Sequence, residues 1–298
     1  MKVLMTGAGG QLGQSLQRSK PDQIQLIATS RDQLDLADPE ACHHAVLQHR
    51  PDWILNAGAY TAVDQAESEP ELASAVNGGA PRAFCEALLE TEGRLLQLST
   101  DFVFSGSQGS PYTVQQDRDP LGIYGLTKAN GEEAVETLLG NSGRATILRT
   151  SWVMGPVGRN FALTMLRLHR SRTELGVVAD QVGCPTSTLT LASACWQLIT
   201  TANNTPLPSV LHWSDDGAAS WYDVSVAIGE LGQELGLLDD PADVRPITTA
   251  DYPTPAKRPT YSLLDCSSSR QQLKLQGQHW RTALRDVLRA IPSESLNP

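Results

Sequence analysis

Short apolar runs alternate with longer amphipathic stretches along the first half of the chain. The apolar runs cover residues 3–5, 24–28, 53–56, 94–99 and 145–149. The stretches between them place apolar residues at helical spacing, most clearly over residues 40–49, 70–91 and 124–139. Strands that alternate with helices pair into a parallel sheet covered on both faces. The pattern therefore predicts an α/β fold with a Rossmann-like, doubly wound parallel sheet.

Beyond Thr150 the apolar positions are spaced less evenly. Helical patterns recur in segments separated by loops that contain proline, at residues 161–169, 189–201, 221–235 and 281–291. We interpret this half as a smaller C-terminal lobe that binds substrate. The predicted division is a Rossmann domain over residues 1–152 and a mainly substrate-binding lobe over residues 153–298, with a soft boundary that the chain can cross again.

Charge and composition exclude several classes of partner. The 298-residue chain carries a formal net charge of −10, which argues against nucleic acid because phosphate backbones attract clustered Lys and Arg. No apolar run approaches the length of a membrane span, and the first strand begins so early that it leaves no room for a signal peptide. We therefore expect a cytoplasmic protein.

The five cysteines contain no C-x-x-C pair, which predicts reduced thiols and no zinc site.

Three glycines, Gly7, Gly10 and Gly13, follow the first strand and open the first helix. Glycine lets the backbone turn sharply and approach a pyrophosphate, whose charge is then held by the amides of the helix N-terminus. The position of the motif inside a β-α-β unit makes it more specific than glycines alone. Its three-residue spacing resembles that of short-chain dehydrogenases and predicts a dinucleotide site in the domain of residues 1–152.

The residues after the second strand are expected near the adenosine ribose of the dinucleotide. Ser30 and Arg31 suit a 2′-phosphate, whereas Asp32 suits a free 2′-hydroxyl. An exposed loop charge is the alternative interpretation of Arg31. We favour NADPH as the cofactor. After the third strand, small residues within 56–60 let the chain pass close to the dinucleotide.

Tyr124 and Lys128 are four residues apart, so they share one face of a predicted helix. A neighbouring ammonium favours the phenolate and predicts that the pKa of Tyr124 is drawn down from about 10 toward the working range. Thr100 ends the fourth strand at the carboxyl edge of the sheet, where ligands of such folds bind. The set predicts hydride transfer to a ketone, with Tyr124 as proton donor and Thr100 orienting the oxygen. Lys128 tunes Tyr124 and holds the nicotinamide ribose.

Several segments together resemble the dTDP-4-dehydrorhamnose reductase family of extended short-chain dehydrogenases. They are TGAGGQLG at 6–13, LNAGAYTAVDQAE at 55–67, LSTDFVFSG at 98–106, YGLTKANGE at 124–132, RTSWV at 149–153, NFALTML at 160–166, DQVGCPTS at 180–187 and RPTYSLLD at 258–265. The likeness covers nearly the whole chain, and the order of the segments is more specific than any one of them. It implies reduction of the C4 ketone of dTDP-4-dehydro-L-rhamnose by NADPH, with NADH sometimes accepted.

The resemblance also implies particular site residues. Those expected at the cofactor lie in the glycine motif, after the second and third strands and on the Tyr124 helix: Gly7, Gly10, Gln11, Leu12, Gly13, Ser30, Arg31, Asp35, Leu36, Ala57, Gly58, Ala59, Tyr60, Tyr124 and Lys128. Those expected at the substrate are Thr61, Thr100, Asp101, Phe102, Trp152, Gln181 and Arg258. Trp152 would pack on the sugar or base, with a place in the core as the alternative. Arg258 would pair with the diphosphate, with a surface salt bridge as the alternative.

Two departures from the family pattern bear on these expectations. Phe102 stands where the family usually has tyrosine, so any role for that hydroxyl is lost here. Some members are described as dimers bridged by magnesium through carboxylates, but residues 187–193 contain no Asp or Glu and a hard cation prefers carboxylate oxygens. We therefore predict no metal, and either a monomer or a metal-independent homodimer. The adjacent His43 and His44 are interpreted as solvated side chains.

Two other functions fit parts of the same pattern. A sugar-nucleotide 4-epimerase shares the glycine, threonine and Tyr-Lys elements and would retain NAD. A non-catalytic regulatory subunit, similar to the β subunit of methionine adenosyltransferase, would keep the fold and the dinucleotide while acting on a partner. The intact set of Thr100, Tyr124 and Lys128 together with DQVGCPT favours the reductase.

Overall fold

The first half of the chain alternates strands with helices. The computed structural model describes residues 1–202 and 208–292. In chain order the elements are β1 (Lys2–Thr6), α1 (Gln11–Arg18), β2 (Gln25–Thr29), α2 (Pro39–His49), β3 (Trp53–Asn56), α3 (Val63–Ala66), α4 (Pro70–Ser74), α5 (Ala80–Leu89), β4 (Arg94–Thr100), α6 (Ile123–Leu139) and β5 (Ala145–Thr150).

The second half is built from shorter strands and longer connections. Its elements are β6 (Val153–Met154), α7 (Phe161–Ser171), β7 (Glu174–Val178), β8 (Val182–Gly183), β9 (Thr186–Ser187), α8 (Thr188–Thr201), β10 (Val210–Trp213), β11 (Ala219–Ser220), α9 (Trp221–Glu234), β12 (Asp243–Ile247), α10 (Ser267–Leu273) and α11 (Trp280–Arg289). The sequence pattern predicted the four long helices described in this half, α7, α8, α9 and α11, but none of its described strands.

In the described part of the chain, the central sheet has six parallel strands in the order β10-β5-β4-β3-β1-β2. The predicted α/β fold with a parallel sheet is confirmed. The chain direction along the sheet reverses between β1 and β3, and open α/β sheets bind ligands at such a switch point, outside the carboxyl ends of the strands.

Alternate residues of each strand supply the two faces of the sheet. Met5 and Leu55 pack with α1 and α8 on one face, whereas Leu4 and Ile54 pack with α2, α5 and α6 on the other. All four residues of β3 are buried, as expected for a central strand covered by helices on both sides. The burial explains why residues 53–55 of this strand form an unbroken apolar run.

The chain returns to the central sheet after leaving it. The strand β10 pairs in parallel with β5, and α8 packs against α1. A separate core forms among α7, α9 and α11 beside the parallel pair β7 and β12. The division at residue 152 stays a prediction, and residues 203–207 and 293–298 of the predicted lobe lie outside the described residues.

The prediction of one continuous helix over residues 70–91 is wrong, because the helix is interrupted. A π-helical turn, Ala75–Gly79, separates α4 from α5. Asn77 in that turn donates to the carbonyl of Tyr60 and to Thr127 Oγ1, and its Oδ1 accepts from the Tyr60 amide. These contacts hold the loop after β3 against α6, and π turns are frequent where a site needs such a deviation.

No helix in the part of the chain that the structure describes is long and apolar enough to cross a membrane. All five cysteines are buried and unbridged.

Candidate active site

A cavity of about 560 Å³ opens at the carboxyl edge of the sheet, around the ends of β1, β2 and β3. Every residue predicted to contact the cofactor lines it, from the glycine motif to Tyr124 and Lys128. Of the predicted substrate residues, Thr61 lines the same cavity. The volume falls in the range of known ligand pockets.

The glycine loop is shaped so closely that side chains do not fit at two positions. Gly7 has φ +72°, and a Cβ there would lie 2.7 Å from the Gly58 nitrogen. A Cβ on Gly13 would lie 2.1 Å from the Gly7 carbonyl oxygen. The helix α1 starts at the N-cap Gly10 without a side-chain cap, so its first amides remain available to an anion. The loop therefore has the shape and donors that a pyrophosphate needs.

Gly13→Ala is expected to destabilise the fold by about 2 kcal/mol, because the added methyl group would overlap the Gly7 carbonyl and force the loop open. The melting temperature should fall by about 4–8 °C. Gly109→Ala is the control, since a Cβ at Gly109 meets nothing within 4 Å. Equal melting temperatures for the two variants would contradict the close approach of the loop to α1.

The end of the cavity predicted to hold the adenosine is lined by Ser30 and Arg31 but not by Asp32. The Arg31 side chain is 74% exposed, with its Nε 3.8 Å from Asp35 Oδ1. Such an exposed pair holds its partners weakly, so Arg31 is free to turn toward a 2′-phosphate. Ser30 and Arg31 therefore place a hydroxyl group and a cation at this end of the cavity.

Tyr124 lies in the first turn of α6, against the end of β4. Burial raises its pKa to about 12, partly opposed by a hydrogen bond with the Thr100 side chain and reinforced by the charge of Asp101. The expectation that Lys128 draws this pKa down is wrong for the structure, because burial outweighs any effect of the ammonium. The phenol consequently keeps its proton at neutral pH, which suits a proton donor.

Lys128 lies one turn further along α6 and is 4% exposed. Its Nζ donates to the Leu98 carbonyl at 2.7 Å. Burial lowers the pKa of Lys128 to about 8, partly opposed by the charge of Glu132. Lys128 lines the cavity, and its ammonium is therefore held there with a pKa close to the working pH range.

Thr100 and Asp101 form the polar end of β4. The Thr100 hydroxyl donates to Asp101 Oδ1 at 3.0 Å and accepts from the Phe102 amide at 3.2 Å. Burial raises the pKa of Asp101 to about 6, opposed in part by the hydrogen bond from Thr100. Asp101 Oδ2 is buried and has no hydrogen-bond partner within the described ranges. This carboxylate oxygen can therefore still accept a hydrogen bond.

The other residues predicted to contact the substrate lie in three places, of which Arg258 is described separately. The Phe102 ring meets Tyr124 edge-on, with centroids 5.4 Å apart. Trp152, at φ +45°, stacks on Trp221 with centroids 3.6 Å apart. The Trp221 indole N–H donates to Gln181 Oε1. One face of Trp152 is thus already covered, and its contact with sugar or base stays a prediction.

Arg258 is bound to another side chain. Its Nη2 lies 2.7 Å from Asp64 Oδ2, and its Nη1 donates to the Ala256 carbonyl. The structure shows the salt bridge that was the alternative for this residue. Pairing of Arg258 with a diphosphate would require it to leave Asp64, and that role stays a prediction.

A buried charge network supports α6 behind the site. Glu132 is fully buried and pairs with Arg149, whose side chain is 3% exposed, at 2.7 Å. The carboxylate also accepts from Ser99 Oγ and from Arg118. Burial alone would raise the pKa of Glu132, but the hydrogen bonds and charge of Arg149 lower it. The ionised carboxylate links α6 to β4 and β5.

Sequence reasoning missed several residues around the cavity. Thr150 Oγ1 is buried there without a hydrogen-bond partner in the described parts of the chain, and Thr150 pairs in register with Thr100. A polar residue at the end of a neighbouring strand was the available signal for Thr150. The Asn77-Gly78-Gly79 run inside a helical pattern was the signal for the π turn. Arg159, which also lines the cavity, had no signal.

Among residues 1–202 and 208–292, no group of three or more His, Cys, Asp or Glu side chains is placed to hold a metal ion.

Comparison with known proteins identifies close relatives. The family model described as RmlD substrate binding domain matches residues 1–292. The dTDP-4-dehydrorhamnose reductase of Aggregatibacter actinomycetemcomitans is 38% identical, over 96% of this chain and 98% of that protein. The probable dTDP-4,6-dihydroxy-2-methyloxan-3-one 4-ketoreductase of Streptomyces antibioticus is 39% identical, over 96% of this chain and 94% of that one.

A solved structure shows the same fold with a nucleotide. The dTDP-4-dehydrorhamnose reductase of Bacillus anthracis, determined in complex with NADP, superposes with a TM-score of 0.87 at 32% identity. The match covers 97% of this chain and 98% of that one.

Proposed function

This chain belongs to the RmlD substrate binding domain family, and from that premise we propose that it reduces the C4 ketone of dTDP-4-dehydro-L-rhamnose to dTDP-L-rhamnose with NADPH. It acts as an NADPH-dependent oxidoreductase of dTDP-rhamnose biosynthesis. One observation carries the proposal: a single cavity joins the glycine loop after β1 to Tyr124 and Lys128. The relatives supply the substrate class, since two of them are named for 4-keto reduction of dTDP-sugars.

The residues present fit the cofactor along its whole length. The glycine loop and the uncapped α1 N-terminus suit the pyrophosphate, and Ser30 with Arg31 suits the 2′-phosphate. Thr150 Oγ1, which is buried and has no hydrogen-bond partner among the described residues, and the ammonium of Lys128 would hold the nicotinamide end. NADPH, when bound, supplies the hydride that goes to the ketone carbon.

The side chains of this chain handle the proton. Tyr124, with its pKa raised by burial, releases its proton to the alkoxide oxygen as the ketone is reduced. Thr100 contacts both Tyr124 and Asp101 and orients the reacting oxygen. Lys128, with its Nζ on the Leu98 carbonyl, would hold the nicotinamide ribose.

The assay is NADPH consumption by this chain alone, with dTDP-4-dehydro-L-rhamnose generated by its upstream enzymes. We expect stoichiometric oxidation of NADPH and formation of dTDP-L-rhamnose. A preparation that consumes no NADPH but binds it would support the regulatory subunit, and tightly retained NAD would support the epimerase.

The same assay should include a second substrate. The name of the Streptomyces antibioticus relative specifies another dTDP-linked ketosugar. Faster turnover of that ketosugar than of dTDP-4-dehydro-L-rhamnose would overturn the rhamnose assignment while preserving the chemistry. The cytoplasmic location, and the choice between a monomer and a metal-independent homodimer, stay predictions.

The affinity for NADPH is expected to fall as the pH rises through about 8. Burial lowers the pKa of Lys128 to about 8. Below this pH the side chain is an ammonium, which attracts an anionic ligand, and above it that charge is lost. Bound NADPH raises this pKa by the same coupling, so the midpoint in the complex lies higher. Fluorescence titration between pH 6 and 10 measures the effect, and Lys128→Met should bind weakly without this pH step. A step of equal size in that variant would assign the titration to another group.

A further inference from the structure

The loop between β6 and α7 is fastened to the first turn of α1. Asn160 Nδ2 donates to Gln11 Oε1 at 3.1 Å, and Gln11 Nε2 donates to the Val153 carbonyl at 3.1 Å. A Cβ on Gly158 would lie 3.6 Å from Gln11 Cβ. The second half of the chain thus contacts the glycine-loop helix at the end where its amides are free.

This loop is also held on its other side. Asn160 Oδ1 accepts from the Leu163 amide and caps α7, while Asn160 Nδ2 donates to the Gly155 carbonyl. Gly158 has φ +80°, a conformation that glycine adopts without strain. The backbone of Arg159, between Gly158 and Asn160, therefore has a defined position beside α1.

The Arg159 side chain is exposed and lines the dinucleotide cavity. Within the described residues it makes no ion pair and no side-chain hydrogen bond. The other cationic residues among those that line the cavity are already placed: Arg31 lies beside Asp35 at the adenosine end, and Lys128 donates to the Leu98 carbonyl. The glycine loop, residues 7–13, contains no Lys or Arg.

We propose that Arg159 is the side-chain cation that binds the pyrophosphate of the dinucleotide, opposite the amides of α1. The inference rests on the proposed function and adds to it a binding residue from the second half of the chain. A guanidinium forms paired hydrogen bonds with phosphate oxygens. In a chain of net charge −10, a local cation also offsets a field that repels an anionic cofactor.

The pyrophosphate is common to NADPH and NADH, whereas the 2′-phosphate belongs to NADPH alone. The test therefore titrates both nucleotides, by fluorescence and without sugar substrate, into the full chain and three variants. Arg159→Gln should raise the Kd of both nucleotides about tenfold, and the effect should shrink in high salt because the site is open to solvent. Arg31→Gln should raise the Kd of NADPH much more than that of NADH.

Arg172→Gln is the matched control, since Arg172 is exposed at the end of α7 and its loss changes the net charge equally. It should leave both Kd values unchanged. The proposal is overturned if Arg159→Gln binds both nucleotides as the unaltered chain does, or if it weakens NADPH alone. In either case the unaltered chain still binds and oxidises NADPH, so the proposed function stands. Failure of the unaltered chain to bind either nucleotide would overturn both.

Discussion

Tyr124→Phe is expected to lower the turnover number about a thousandfold while leaving NADPH affinity and the melting temperature nearly unchanged. General acid catalysis by a positioned side chain contributes 10²- to 10⁴-fold, and the substitution removes only the hydroxyl that carries the proton. The ring stays, and with it the edge-on contact with Phe102. Because burial raises the pKa of the phenol to about 12, the proton is present at every pH in the working range.

Three measurements on this variant separate chemistry from structure: the turnover number, the Kd of NADPH and the melting temperature. Tyr252→Phe is the control, since Tyr252 is 62% exposed and its hydroxyl is expected to be dispensable. Turnover of Tyr124→Phe within tenfold of the unaltered chain, with both variants folded, would assign the proton to another group. Asp101, with its pKa raised by burial to about 6 and an oxygen that has no hydrogen-bond partner among the described residues, would be the next candidate.

Local patterns in the sequence were enough to predict most of the central sheet. The buried run of β3 lies at the predicted residues, because a strand covered on both faces is mostly apolar, here from Trp53 to Leu55 before the buried Asn56. The strand β10 was not predicted. Only four residues long, it carries His212 in its middle, and its place depends on β5, some sixty residues earlier. Such long-range pairing leaves no local periodicity.

For the active site, too, local sequence patterns predicted only part of what the structure shows. Glycines at 7, 10 and 13 and the Tyr124–Lys128 spacing are local signals, and the structure places all five residues at one cavity. The direction of the Tyr124 pKa shift was wrong because burial depends on the packing around α6, which spacing does not contain. Arg159 reaches the cavity through a contact between residues 149 positions apart, Gln11 and Asn160.

Glu132→Gln is expected to lower the free energy of unfolding by about 3–5 kcal/mol, because it leaves the guanidinium of Arg149 in the core without its carboxylate. The two side chains are 0% and 3% exposed, so water cannot replace the lost partner. The melting temperature should fall by roughly 10 °C. Glu133→Gln, the same change at the next and exposed position of α6, should alter stability by less than about 0.5 kcal/mol.

The double variant Glu132→Gln with Arg149→Met shows whether the loss comes from an unpaired charge. Removing both charges should recover part of the stability, since an apolar replacement of a buried ion pair is often tolerated. If the double variant is no more stable than Glu132→Gln alone, the loss of stability comes from the altered shape of the side chains and not from an unpaired charge.

The network also reaches the active site, because the charge of Glu132 raises the pKa of Lys128. In Glu132→Gln, the pH above which NADPH binding weakens should therefore move down, and an unchanged midpoint would mean that the network supports the fold but not the lysine.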